Sequence, residues 1–243
     1  MKENISPLFI KYEDLVTCVH DVIESIRRAR SRVEEDPHKN VIDPFSATFA
    51  AIYHRQRMSD WLDGEKQRQS QKSWQNAIGN FHQRVLGKID GWEDLGVGNV
   101  ADLVNHDKKI IAEVKNKYNT TKGSDKVRIY DMLSGMLAQP EFRGYTAYYV
   151  EVIPKAAKKY DTPFTPPDNT TKGRRVENPV IRVIDGYSFY ERATGIEDAL
   201  SVLYAALPEI IAHEIEGVDP AMNLEPMFLE LFNRAYGVDT DED

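Results

Sequence analysis

Residues 102–122, DLVNHDKKIIAEVKNKYNTTK, decide how this chain folds. Two β-prone runs, NVADLVNHD and KKIIAEVK, read as a hairpin whose two-residue turn is Asp107-Lys108. If His106 faces Lys109, then Asn105 pairs with Ile110, Leu103 with Ala112 and Asp102 with Glu113. Opposed residues on antiparallel strands point to one face, with Cβ atoms about 4.5–5.5 Å apart, so two carboxylates stand side by side. Lys115, two residues beyond Glu113, joins them because side chains alternate with period two. Ala101, Leu103, Ile110, Ala112 and Val114 make the opposite face apolar, and that pattern fixes the register.

Paired carboxylates repel, so something cationic must compensate them. Lys115 supplies part of this, and a divalent cation is the better candidate. Mg²⁺ prefers one or two carboxylates with the remaining positions left to water and phosphate. The lysine would then orient or deprotonate an attacking water. An isolated Glu-x-Lys is ordinarily the polar end of a strand. Here the matched register, the apolar reverse face and the basic loops weigh for a site.

The charge around this hairpin is uneven. The 243-residue chain carries a net charge of −8, with 29% charged and 41% hydrophobic residues, an ordinary balance for a globular protein. Yet residues 108–128 hold seven Lys/Arg against Glu113 and Asp125, and residues 155–176 hold six against Asp161 and Asp168. Residues 209–243 hold ten acids and only Arg234. One face meeting a polyanion, with acidic surfaces elsewhere, produces this pattern. The single cysteine, Cys18, excludes an internal disulfide and a cysteine zinc site. No run in the first 28 residues has signal-peptide or membrane-span length, so a cytoplasmic protein without a membrane partner is expected.

Helical periodicity marks residues 5–35 and 43–68, joined by EDPHKNVIDP with Pro37 and Pro44 as breakers. Ser70 or Ser73 is expected to cap a further helix that stops at Gly87. DGWEDLGVGNV reads as a glycine-rich, flexible approach to the hairpin. A helix over 126–137 follows, then GYTAYYVEVIP as a central strand. KKYDTPFTPPDNTTKGRR is a long proline-rich loop, and such loops in compact domains are commonly functional. NPVIRVIDGYSFYERATG is expected to form a strand pair turning at Asp185-Gly186, with Tyr187, Phe189 and Tyr190 packing on the sheet. Helices near 196–215 and 223–236 and a disordered acidic tail, VDTDED, end the chain. The fold class is α/β: a mixed central sheet flanked by helices within one domain, comprising a helical layer (1–69), a core (70–200) and C-terminal helices (201–243).

At Asp102 and Glu113-Val114-Lys115 the sequence resembles the PD-(D/E)xK nuclease superfamily, which places an Asp on one strand and a Glu-x-Lys on the next. Ala101 stands where that family has its proline. No acid lies between Glu65 and Asp90, so either Gln75, Asn76 or Gln83 takes the place of the family's helix carboxylate or that contribution is missing. More narrowly, SWQNAIGNFHQ, EVKNKYNTTKGSDK and VIDGYSFYERATG, over about residues 70–200, resemble type II restriction endonucleases that read GGNCC. The resemblance implies a restriction-endonuclease-like core and Mg²⁺-dependent cleavage of both DNA strands by a homodimer, leaving 5′-phosphates. It implies Asp102 and Glu113 as metal ligands, joined by the backbone carbonyl of Val114, with Lys115 serving the water.

The pentapeptide NTTKG occurs twice, at 119–123 and 169–173. Asn, Thr and Lys donate to phosphates and base edges, and glycine permits close backbone approach. Lys117, Asn119, Thr120, Thr121, Lys122 and Lys172 are therefore expected to contact DNA, with Arg174 and Arg175 reading guanine edges. His54, His82 and His106 share no ligand spacing and are read as structural, and Glu151 as one half of an ion pair. Two rivals to a restriction endonuclease stay open: a repair or mobile-element nuclease reading DNA structure, and a catalytically silent DNA-binding module.

Overall fold

Aromatic and β-branched residues carry the middle of the chain into a sheet. The computed structural model describes residues 7–35, 41–96, 98, 100–215, 217–218 and 226–238. Its main sheet contains β1 (Glu93–Asp94), β2 (Leu103–Asn105), β3 (Ile110–Lys117), β4 (Thr146–Ile153), β5 (Asp161–Pro163) and β8 (Ile181–Asp185) in the order β1-β2-β3-β4-β8-β5. Between β5 and β8, β6 (Pro167–Asp168) and β7 (Gly173–Arg174) form a separate two-stranded ribbon. β3, β4 and β8 run parallel and the outer pairs antiparallel, which is the mixed α/β sheet expected. β4 is buried along nearly its whole length, as a central strand covered on both faces must be.

The hairpin takes the expected register, with Leu103 opposite Ala112 and Asn105 opposite Ile110. Leu103, Ile110, Ala112 and Val114 enter a core built with helices α1 (Tyr12–Glu35), α3 (Met58–Gly87), α5 (Gly186–Thr194) and α6 (Ala199–Glu214). Val104 and Ile111 face the other way, into a second core beneath α4 (Gly123–Leu137). Ala101 departs from expectation. The Asp102 N–H still reaches the Ala112 carbonyl at 3.0 Å, but the chain then turns and Ala101 packs on the α4 side with Val104 and Ile111.

Other differences have local causes. Pro44 starts α2 (Pro44–Tyr53) instead of breaking a helix, since a first-turn proline lacks only an N–H that would go unused. The Asp43 carboxylate caps that turn by accepting from the N–H groups of Phe45 and Ser46. Ser70 and Ser73 lie inside α3, which runs unbroken through Gly64 and ends at Gly87 as expected; ion pairs Asp63–Lys66 and Glu65–Arg68 support its polar half. The approach to the hairpin contains the edge strand β1. Asp185-Gly186 is not a hairpin turn: Asp185 closes β8 and caps α5 by accepting from the Ser188 N–H. Tyr187, Phe189 and Tyr190 are buried as expected, but from a helix. α7 (Pro226–Tyr236) is the last helix described; residues 36–40 of the first connection and 239–243 of the acidic tail lie outside the described residues.

Candidate active site

Glu113 is in step with Ile111, so it projects from β3 on the α4 side, and Lys115 follows it on that face. Asp102 comes from the start of β2. Lys115 Nζ lies 2.6 Å from Glu113 Oε1 and 3.8 Å from Asp102 Oδ2, and the three side chains are 12–30% exposed. Asp102 is anchored from behind, its Oδ2 accepting the Val114 N–H at 2.7 Å. The three residues foreseen from the alternation thus converge.

Both carboxyls are held above their ordinary ranges. For Glu113 the main cause is burial, followed by the charge of Asp102, with Lys115 and Arg128 opposing. For Asp102 burial again leads, offset by Lys115 and the Val114 N–H and reinforced by Asp94. A raised carboxyl binds its proton in the folded chain at pH values where the unfolded chain has released it. Stability therefore falls as pH rises through that window, and above it the charged site burdens the fold. Glu113→Gln should accordingly be more stable than wild type at about pH 8, by about 0.5–2 kcal/mol, the usual size of a stabilising substitution. The gap should close below about pH 4.3, where even the unfolded glutamate is protonated; thermal melts across pH read it directly.

Asp94 was not singled out by the sequence, because a two-residue strand carries no alternation to betray it. It stands opposite Leu103, on the α3 side of the sheet, with its Oδ1 accepting from Gln83 Nε2 at 2.8 Å and from the Gly96 N–H at 2.9 Å. Gln83 is thus committed to Asp94 on the α3 side, across the sheet from the trio, while Gln75 and Asn76 are exposed on α3. Among the described residues no group of three or more His, Cys, Asp or Glu is placed to hold a metal; the charge of Asp94 acts on the site by raising Asp102.

The basic loops sit on the same side. Residues 119–122 connect β3 to α4; Lys117, Asn119, Thr120 and Lys122 are exposed and Thr121 is half-buried. Lys126 ties this connection down by donating to the Tyr118 carbonyl at 2.9 Å and pairing with buried Glu151 at 2.6 Å, whose other oxygen accepts from Tyr160 Oη. The second NTTKG forms the tip of the β6–β7 ribbon, braced by the Asp168 carboxylate accepting the Thr170 N–H. Arg175 bridges Asp131 of α4 at 2.6 Å and Asp168 at 3.2 Å, and so fastens the ribbon to α4. Lys172 and Arg174 remain exposed on it. His82 and His106 bond to the hydroxyls of Tyr190 and Tyr145; burial pushes His82 down to about 4.

A mixed α/β sheet with an acid–acid–lysine trio on one face, beneath basic loops, fits a nuclease that binds a polyanion and works on its phosphodiesters. Residues 8–216 match the family model of the Eco47II restriction endonuclease. The chain is 38% identical over 235 residues to the type II restriction enzyme Eco47II of Escherichia coli, covering 94% of this chain and 98% of that one. It is 31% identical over 212 residues to the type II restriction enzyme Sau96I of Staphylococcus aureus, covering 86% and 80%. The chain belongs to the Eco47II restriction endonuclease family and is a type II, site-specific endonuclease. No helix among the described residues is long and apolar enough to cross a membrane.

Proposed function

We propose that this endonuclease hydrolyses both strands of duplex DNA with Mg²⁺, as a homodimer, at GGNCC, the sequence read by the enzymes its motifs resemble. The observation that carries the reading is the half-buried trio, Lys115 2.6 Å from Glu113 and 3.8 Å from Asp102 on one face. The donor set suits the ion: two carboxylates, each raised by burial, with Glu113 raised further by Asp102, gain most from a hard divalent cation. Asp102, Glu113 and the Val114 carbonyl would hold it. When bound, Mg²⁺ supplies Lewis-acid polarisation of the scissile phosphate.

The side chains supply the rest. Asp102, fixed by the Val114 N–H, holds one wall of the site, and Glu113 positions the Lys115 ammonium. Lys115 orients the water that attacks phosphorus in line; the bond to the 3′ oxygen breaks, and the phosphate stays on the 5′ end. Lys117, Asn119, Thr120, Thr121 and Lys122 track phosphates from the β3–α4 connection. On the ribbon, Lys172 and Arg174 are the outward groups suited to a groove. Arg175, committed to two carboxylates, positions them; base readout falls to Arg174.

Unmethylated phage DNA of known sequence, incubated with Mg²⁺ and separately with EDTA, tests the reading on a gel. The expected result is discrete fragments only with Mg²⁺, at the sizes GGNCC dictates. A smear would favour a structure-reading nuclease, and intact DNA throughout would return the trio to a polar strand end.

A further inference from the structure

The apolar pattern of α2 runs opposite to that of a surface helix. Its small residues, Ala47 and Ala51, face the rest of the chain and are buried. Its large ones point outward: Phe45 and Phe49 are 77% exposed, Ile52 72% and Tyr53 83%, with Val41 98% exposed just before the cap. Phe45, Phe49 and Ile52 fall at i, i+4 and i+7, a continuous stripe on one side of the helix. A stripe of this size left to water is the signature of an interaction surface.

We infer that this face of α2 is the contact with a second copy of the same chain. Pro44–Tyr53 holds no charged residue, and the nearest described bases, Arg55 and Arg57, follow its C-terminal end, so the stripe itself offers a phosphate backbone nothing to pair with. It suits a two-fold interface, in which a patch must meet itself and any charge near the axis would meet its like. The area is adequate. Aromatic side chains bury about 150–250 Å² each, so three of them with Ile52 and Val41 offer roughly 600–850 Å², against about 800 Å² per partner in a standard interface. The need for a partner rests on the proposed cleavage of both strands: the described residues provide one trio per chain, so the second must come from a second copy.

Sedimentation equilibrium without DNA or Mg²⁺ separates this inference from the nuclease reading, which the cleavage gel tests alone. Wild type is expected at twice the 27.8 kDa of the chain in the micromolar range. Phe49→Glu should raise the dimer dissociation constant more than about 100-fold, as loss of an interface anchor does, with an unchanged circular dichroism spectrum. Ile52→Glu, three residues along the stripe, should do the same and carries the test if Phe49→Glu misfolds. A wild type that stays monomeric at these concentrations, or folded variants that dimerise as tightly as wild type, would overturn the assignment.

Discussion

Glu113→Ala is expected to lower Mg²⁺-dependent DNA cleavage at least about 1,000-fold while leaving affinity for duplex DNA nearly unchanged. The substitution removes one of two carboxylates and releases Lys115 from the partner that holds it at 2.6 Å. What is left is a single acid, Asp102, and a lysine held only by its longer, 3.8 Å pair with that acid. The proposed metal and water would lose their placement together, so the losses would not add as independent contributions. In the proposed reading, binding draws instead on Lys117, Lys122, Lys172 and Arg174, which are exposed on the loops beyond Glu113. Removing a negative charge near the phosphates favours binding if it has any effect. Parallel cleavage assays and gel-shift titrations read the two quantities. Retained cutting by Glu113→Ala would remove the trio from the mechanism, and an equal fall in cutting and binding would make Glu113 a structural residue.

The trio was legible because a hairpin is the most local of long-lived patterns. A two-residue turn fixes the register, and period-two alternation then assigns each side chain to a face without knowledge of the rest of the fold. The core under Leu103, Ile110 and Ala112 followed from the same alternation. Asp94 was illegible because β1 is only two residues long and is a strand solely by virtue of pairing with β2. Arg175 escaped for a related reason: its partners Asp131 and Asp168 are distant in sequence or across a ribbon too short to show alternation. The length of α3 was hidden by two serines that read as caps but sit among residues already committed to helix by the ion pairs one turn upstream.

Gly186→Ala is expected to destabilise the fold by about 3 kcal/mol, lowering Tm by about 6–12 °C for a chain of this size. Two rules compete at IDGYSFYERAT. Asp-Gly between β-prone runs signals a tight turn, whereas an Asp that accepts the N–H three residues on starts a helix. The helix prevails because Tyr187, Tyr190 and Ala193 recur on one side and bury against β4 and α6, a gain no local turn can match. The glycine serves a different end from the one its neighbour suggests. A Cβ at position 186 would meet the carbonyl oxygen, the Cα and the carbonyl carbon of Val152, all well inside contact distance. These are backbone atoms of the central strand, so no side chain can swing aside, and either α5 or β4 must shift. Val152 adjoins Glu151, which lies beside Lys115 across the β3–β4 ladder. The strain therefore reaches the trio, and cleavage should decline with stability; thermal melts and cleavage rates on one preparation test both, and an alanine tolerated without loss would show that α5 does not seat against β4 through this glycine.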